Sequence, residues 1–156
     1  MYFRMIALAA LLGAAPAADA AEVTLSFRLV TAKTSSTVLP VTNGGGRKIA
    51  AHDAVGVAVF EDGRLALKRF VYTEDATGTE GDAHGYSTYT FENGDSFTAS
   101  FDAHWGAEGL QGTYQVLSGT GAYEGATGTG SFGTTTFPWE GANRYDGSFT
   151  LDVPGS

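Results

Sequence analysis

Apolar and polar residues alternate in short runs from Val23 onward, and no segment beyond the first twenty residues keeps the period of an amphipathic helix. Valine, threonine, tyrosine and phenylalanine fill these runs, while glycine, asparagine and aspartate divide them, as in strands joined by tight turns. The pattern predicts eight strands, over Val23–Val30, Ile49–Phe60, Arg64–Thr73, His84–Phe91, Ser96–Trp105, Leu110–Leu117, Tyr123–Thr134 and Tyr145–Val153. Eight antiparallel strands suffice to close a sheet around a lumen that side chains or one small ligand can fill, and closure removes exposed edges. The expected fold class is therefore all-β, an eight-stranded antiparallel β-barrel.

Two turns predict pairing. Asp62-Gly63 and Asn93-Gly94 sit between alternating segments and have the composition of two-residue hairpin loops, in which both central residues take positive φ. On that geometry Phe91 faces Ser96 and His84 faces Ala103, which places His84, Tyr86, Phe97, Ala99, Phe101 and Trp105 on one face, expected to look inward. The same construction pairs Phe60 with Leu65, Gly56 with Arg69 and His52 with Thr73. The face with His52, Gly56, Leu65, Leu67 and Arg69 then competes with one carrying Val55, Val57, Val59, Lys68, Phe70 and Tyr72. Arg69 across from a glycine favours the first as inward, and an Arg at a solvated barrel rim is the alternative.

The stretch from Tyr114 to Phe132 carries glycines at 119, 121, 125, 128 and 130, with Tyr123 and Phe132 between and beyond them. Gly119-Thr120-Gly121 reads as a turn, and the later glycines mark sharp coiling or close backbone approach, with the two rings filling the space left. A strand ending in Gly-Thr-Gly, an aromatic two residues on, and then Glu124-Gly125-Ala126-Thr127-Gly128-Thr129-Gly130 resembles the allene oxide cyclase-like barrel superfamily, which includes plant dirigent proteins and bacterial secreted relatives. The hairpin around Asn93-Gly94 extends the resemblance over roughly residues 86–132, and strand rhythm alone covers the rest. The resemblance implies an eight-stranded barrel with an apolar lumen, often a homodimer or homotrimer, that steers a reactive small molecule without a metal or organic cofactor. No catalytic residue carries over to a numbered position, and the cysteine associated with the plant cyclase site has no counterpart here.

Residues 1–20 read as a secretory signal peptide: Arg4, an apolar run from Met5 through Leu12, and Ala18-Asp19-Ala20 as a small-x-small cleavage pattern. The run is too short to anchor in a bilayer, so residues 21–156 are expected as one β-barrel domain in the periplasm or outside the cell. The absence of cysteine excludes disulfides and thiol chemistry. Loss of the leader removes Arg4 and Asp19 together and keeps the net charge of −8, which disfavours nucleic acid and anionic lipid as partners.

The candidate ligand-binding residues are His52, Arg69, His84, Tyr86, Phe101 and Trp105. Of these His84 and Tyr86 are the candidates for acid–base work, against the alternative of a rim histidine beside a backbone-bonded tyrosine. His52 and Arg69 suit a carboxylate or developing oxyanion, against ordinary rim positions. A zinc site from His52, His84 and His104 is not expected, since the derived register separates His84 from His104. The acidic segment from Glu74 to Asp82 lacks the ligand spacing of a calcium loop and reads as a solvated loop. Asp102 and His104 have no nucleophile elbow to serve. Two functions remain: a secreted barrel that binds a small hydrophobic molecule in its lumen and guides its cyclisation or isomerisation, or a non-catalytic carrier or assembly barrel. Two polar groups within reach of one another in the lumen distinguish the first, a largely apolar lumen a carrier, and a filled one an assembly module.

Overall fold

In the computed structural model, which describes residues 21–136 and 138–155, eight antiparallel strands hydrogen-bond in chain order and the first meets the last. The predicted leader lies outside the described residues. The strands are β1 (Ala21–Pro40), β2 (Arg47–Phe60), β3 (Leu65–Thr77), β4 (Glu80–Phe91), β5 (Ser96–Gly106), β6 (Gly109–Thr120), β7 (Thr127–Thr135) and β8 (Asn143–Val153). This is the all-β closed barrel expected. A 3-10 turn over Gly121–Tyr123 links β6 to β7, so Tyr123 precedes its strand instead of opening it.

β1 is far longer than its apolar alternation suggested. It pairs with β8 only as far as Thr31 but with β2 out to Pro40, with a register shift between Lys33 and Ser35. The polar run Lys33–Thr37 hides the strand from a pattern reading because this part of β1 extends past the barrel wall and is exposed on both faces. The acidic segment from Glu74 to Asp82 is likewise mostly strand, not a long loop: β3 continues through Thr77, β4 begins at Glu80 after a turn at Gly78-Thr79, and Asp75 pairs with Asp82.

Both diagnostic turns take a different geometry from the one predicted. Gly63 N–H donates to Phe60 O at 3.0 Å and Phe60 N–H to Arg64 O at 2.9 Å, and the corresponding bonds at Gly94 and Phe91 are both 2.9 Å. Only the glycines have positive φ, 87° at Gly63 and 90° at Gly94; Asp62 and Asn93 do not. Each loop is thus a type I turn followed by a glycine bulge, which adds one residue to the loop. The preceding side chains hold it there: Asp62 Oδ1 accepts Arg64 N–H at 3.0 Å, and Asn93 Oδ1 accepts Asp95 N–H at 3.1 Å.

The extra residue slips each hairpin by one. Val59 pairs with Leu65 and Gly56 with Lys68, while Thr90 pairs with Ser96 and His84 with Asp102. Since facing alternates along a strand, one slip exchanges inside for outside on one partner. Ala54, Ala58, Ala66 and Lys68 are buried in β2 and β3; Ser87, Tyr89, Phe97, Ala99 and Phe101 are buried in β4 and β5. The inward assignment of Phe97, Ala99 and Phe101 stands, whereas Arg69, His84 and Tyr86 lie on the exposed outer face. The space that a side chain on Gly56 would occupy is taken by Leu29 and Thr31 from β1, not by the long residue across from it.

The lumen is packed unevenly. Toward the Gly63 and Gly94 turns, Phe27, Phe60, Tyr89, Phe91, Phe97, Tyr123 and Phe149 interlock, with Phe97–Phe149 ring centroids 4.9 Å apart and Phe91–Tyr123 5.1 Å apart. Edge-on and offset rings at these separations contribute beyond their buried area, about 1 kcal/mol per pair. Arg64 closes this end, donating to Tyr123 Oη at 2.7 Å and lying 5.1 Å from the Phe91 ring centre. Farther along the axis the walls approach so closely that side chains give way to glycine. A Cβ on Gly85 would lie 2.4 Å from Val71 O and 2.5 Å from Tyr72 Cβ. Gly85→Ala is therefore expected to lower stability by about 1–3 kcal/mol in urea unfolding with the m-value unchanged.

Candidate functional site

The half of the lumen away from the Gly63 turn is open and carries the polar groups. A cavity of about 50 Å³ is lined there by Thr31, Ala54, Lys68, Phe70, Tyr72, Ala83, Phe101, Phe132 and Tyr145, and reaches the exposed Lys33 and Asn143. Four strands supply its rings at inward positions: Phe70 and Tyr72 from β3, Phe101 from β5, Phe132 from β7 and Tyr145 from β8.

Lys68 is the chemical centre of this cavity. Alternation between buried Ala66 and half-buried Phe70 forces its side chain inward, and the residue is 3 % exposed. Its Nζ donates to Tyr114 Oη at 2.9 Å, and Tyr89 Oη donates to the same oxygen at 3.0 Å. Five ring centres surround the nitrogen, Phe70 at 4.4 Å, Tyr114 at 5.2 Å, Tyr89 at 5.3 Å, Phe101 at 5.5 Å and Phe132 at 5.8 Å. Burial lowers its pKa to about 7, with no carboxylate opposing the shift. Burial also raises the Tyr89 and Tyr114 phenols well above their usual range. Near neutral pH the lumen thus holds an amine divided between its two forms beside two phenols that keep their protons. Ser87 Oγ, fully buried in the same lumen, has no hydrogen-bond partner among the described residues.

A second polar group stands at the mouth. His52 is buried on β2, stacks obliquely on Tyr72 at 4.8 Å, and contacts Ser36 Oγ through Nδ1 at 2.7 Å and Glu74 Oε1 through Nε2. Lys33 Nζ donates to the same Glu74 oxygen at 3.0 Å. Burial, assisted by the Lys33 charge, lowers the His52 pKa against the opposing pull of Glu74. Tyr145, across the cavity, is pushed up to about 12, chiefly by burial.

The candidates from sequence are divided by the wall. His52 and Phe101 face the lumen, Phe101 directly in the cavity; half-buried Trp105 packs at the open end, against Gly81. Arg69, His84 and Tyr86 lie outside it, so the inward face proposed for them is corrected by the one-residue slip. His84 Nδ1 contacts Asp102 at 2.8 Å and His104 Nδ1 contacts Asp82 at 2.9 Å, both pairs exposed. His84 and His104 therefore share a face, contrary to the derived register, each in a cross-strand hydrogen-bond contact with an aspartate. Lys68 was passed over. Its signal was the aromatic pair Phe70 and Tyr72 on the same face of β3, larger lumen fillers than Leu65, Leu67 and Val71.

An eight-stranded closed barrel, packed solid at one end and open over a buried amine at the other, defines the class. Among known proteins, no family model matches the chain and no curated protein matches it. Solved structures do: the pterocarpan synthase dirigent protein GePTS1 superposes with a TM-score of 0.62 at 14% identity, covering 97% of this chain and 99% of that one. The pterocarpan synthase dirigent protein PsPTS1 gives a TM-score of 0.62 at 14% identity, over 88% of this chain and 99% of its own. The fold is thus a dirigent-like barrel, and identity at this level speaks to fold alone.

The amine makes stability depend on pH in a defined direction. In the unfolded chain Lys68 keeps its proton to about 10.5, in the native barrel only to about 7, so between these values the unfolded state binds more protons. Stability then rises with pH across this window and is lost as pH falls through 7. Urea unfolding is expected to show a gain on the order of 2–3 kcal/mol from pH 7 to about pH 9, below the range where phenols of the unfolded chain ionise. Lys68→Met should abolish the gain.

Proposed function

We propose that this chain is an exported barrel that binds one end of a small hydrophobic molecule in the open half of its lumen and guides its cyclisation or isomerisation. The observation that carries this reading is Lys68 Nζ, hydrogen-bonded to Tyr114 Oη at 2.9 Å, itself bonded to Tyr89 Oη, within a ring of aromatic walls. Three hydrogen-bonded polar groups in a lumen that is otherwise greasy are what a guide needs and a simple carrier does not. The likeness in fold to proteins described as pterocarpan synthase dirigent proteins is consistent with it. A cavity of about 50 Å³ is well under the roughly 300 Å³ that encloses a whole ligand. The bound molecule therefore inserts one narrow, flat end, its remainder resting at the mouth between Tyr72 and Tyr145. The leader pattern supports export to the periplasm or exterior, and the chain's own side chains suffice for proton transfer without a cofactor.

The assembly reading has its own observation. Val57, Val59, Leu65, Leu67 and Val71 form an exposed apolar strip on the outer face of β2 and β3, and such strips mark contact surfaces. A homodimer or homotrimer formed through it is compatible with an open lumen.

Ala103 lines the cavity and is nearly buried. Ala103→Phe is expected to fill the cavity, so that a small molecule co-purifying with the wild-type protein in native mass spectrometry is lost from a variant of unchanged circular dichroism; retention at equal occupancy would remove the lumen as its site. Light scattering is expected to find a dimer or trimer for the wild type and a monomer for Leu67→Glu. A monomeric wild type at tens of micromolar would eliminate the strip as a self-association surface.

A further inference from the structure

We infer that Lys68 is a nucleophile that captures the aldehyde or ketone end of an aromatic or short apolar molecule as an imine. This deepens the lumen-binding reading and rests on it. Three features of the site support it.

First, among the described residues the amine has no counter-ion. Its hydrogen-bond partner among them is the neutral phenol of Tyr114, and the rings of Phe70, Tyr89, Phe101, Tyr114 and Phe132 surround it from β3, β4, β5, β6 and β7; the other polar groups of the lumen and cavity, Ser87, Thr31, Tyr72, Asn143, Tyr145 and Lys33 at the mouth, include no carboxylate. A site built for a carboxylate or phosphate would keep the lysine charged, with further donors beside it; here the surroundings disfavour charge and leave a lone pair available. Second, the lysine lines a cavity walled mainly by aromatic rings and alanines and opening past Tyr145 and Lys33, so a flat apolar molecule has a route to it. Third, the phenols of Tyr114 and Tyr89 form a hydrogen-bonded pair next to the nitrogen, positioned to hand protons across.

The step balances without an oxidant or reductant. The Nζ lone pair bonds to the carbonyl carbon as the C=O π pair moves to oxygen. A proton passes from nitrogen to that oxygen by way of Tyr114 Oη and gives a carbinolamine. The second nitrogen-bound hydrogen follows by the same route as the C–O bond breaks, so both amine hydrogens leave with the carbonyl oxygen as one water and a C=N bond remains. An imine withdraws electrons from the adjacent carbon once protonated, which is the activation an isomerisation or ring closure needs.

The chain has only three lysines, Lys33, Lys48 and Lys68, so labelling can be read site by site. The exported chain is incubated with propanal or benzaldehyde and sodium cyanoborohydride at pH 7, and its peptides are mapped by mass spectrometry. Lys68 is expected to take up at least tenfold more reduced adduct than Lys33 or Lys48, with a rate that reaches half its maximum near pH 7 where ordinary lysines need a far more alkaline solution. Lys68→Met and Lys68→Arg, each confirmed folded by circular dichroism, should lose the adduct while Lys33 and Lys48 label as before. Adduct on Lys33 and Lys48 with none on Lys68, from either aldehyde, overturns the proposal. Benzyl alcohol, of the same shape without the carbonyl, separates the two readings by NMR. Shifts at Phe101, Phe132 and Tyr145 without labelling of Lys68 overturn the imine alone; neither shifts nor labelling overturns lumen binding as well.

Discussion

Which side of the barrel wall each residue occupies is decided by the backbone of two turns. At Gly63 and Gly94 a single glycine in the left-handed region closes a type I turn, and one extra residue enters the loop. Because side chains alternate strictly, that residue determines whether β3 delivers Lys68 or Arg69 to the lumen and whether β4 delivers Tyr89 or His84. With the two-residue loops, the interior would have received a histidine and an arginine from these strands and the Tyr89 ring would have been lost to solvent. The polar chemistry of the lumen follows from a local conformational preference tens of residues distant in sequence from Tyr114, which completes it.

The second constraint is volume. An eight-stranded barrel has an interior just wide enough for side chains, and this one divides it unequally. Phenylalanine and tyrosine rings fill the half near the two turns and Arg64 seals it through Tyr123. The opposite half has Ala54, Ala83 and Ala103 on its walls, small enough to leave the cavity. Close packing at one end fixes the strand register, and the open end tolerates alanines because that register is already secured. Stability and the candidate site therefore occupy different halves of one lumen.

The barrel itself was legible in sequence because strand alternation, glycine-rich turns and the number of strands agree with one another. The faces of β3 and β4 were not. Asp-Gly and Asn-Gly suit both loop geometries, and the deciding feature is the Asx hydrogen bond to the residue after the glycine, from Asp62 to Arg64 and from Asn93 to Asp95. The β5 face was read correctly, since Phe97, Ala99 and Phe101 alternate with Thr98, Ser100 and Asp102 unambiguously. β2 and β3 are apolar on both faces, valines outside and alanines inside on β2, so hydrophobicity could not arbitrate there and an appeal to the room beside Gly56 selected Arg69. That room exists but belongs to Leu29 and Thr31 of the neighbouring strand, a long-range contact that pairing within one hairpin cannot reveal. The outer extension of β1 was missed for the opposite reason: it is exposed on both faces and carries no alternation to detect.

A buried lysine without a carboxylate is costly in a molecule whose net stability is a small difference between large terms. Methionine has nearly the same length and would pack against Phe70, Phe101 and Phe132 with no desolvation penalty, so stability alone gives no reason for an amine at position 68. Cation–π attraction from five rings offsets part of the cost of the charged form, and Tyr114 satisfies one hydrogen of the neutral form. Neither replaces hydration in full, which is why burial draws the pKa to about 7. The arrangement is intelligible if the amine's reactivity is itself the property retained. A neutral nitrogen, poor in counter-ions and rich in aromatic neighbours, binds weakly to anions and readily to carbonyl carbon, and the open alanine-walled half of the barrel gives such a carbon its approach.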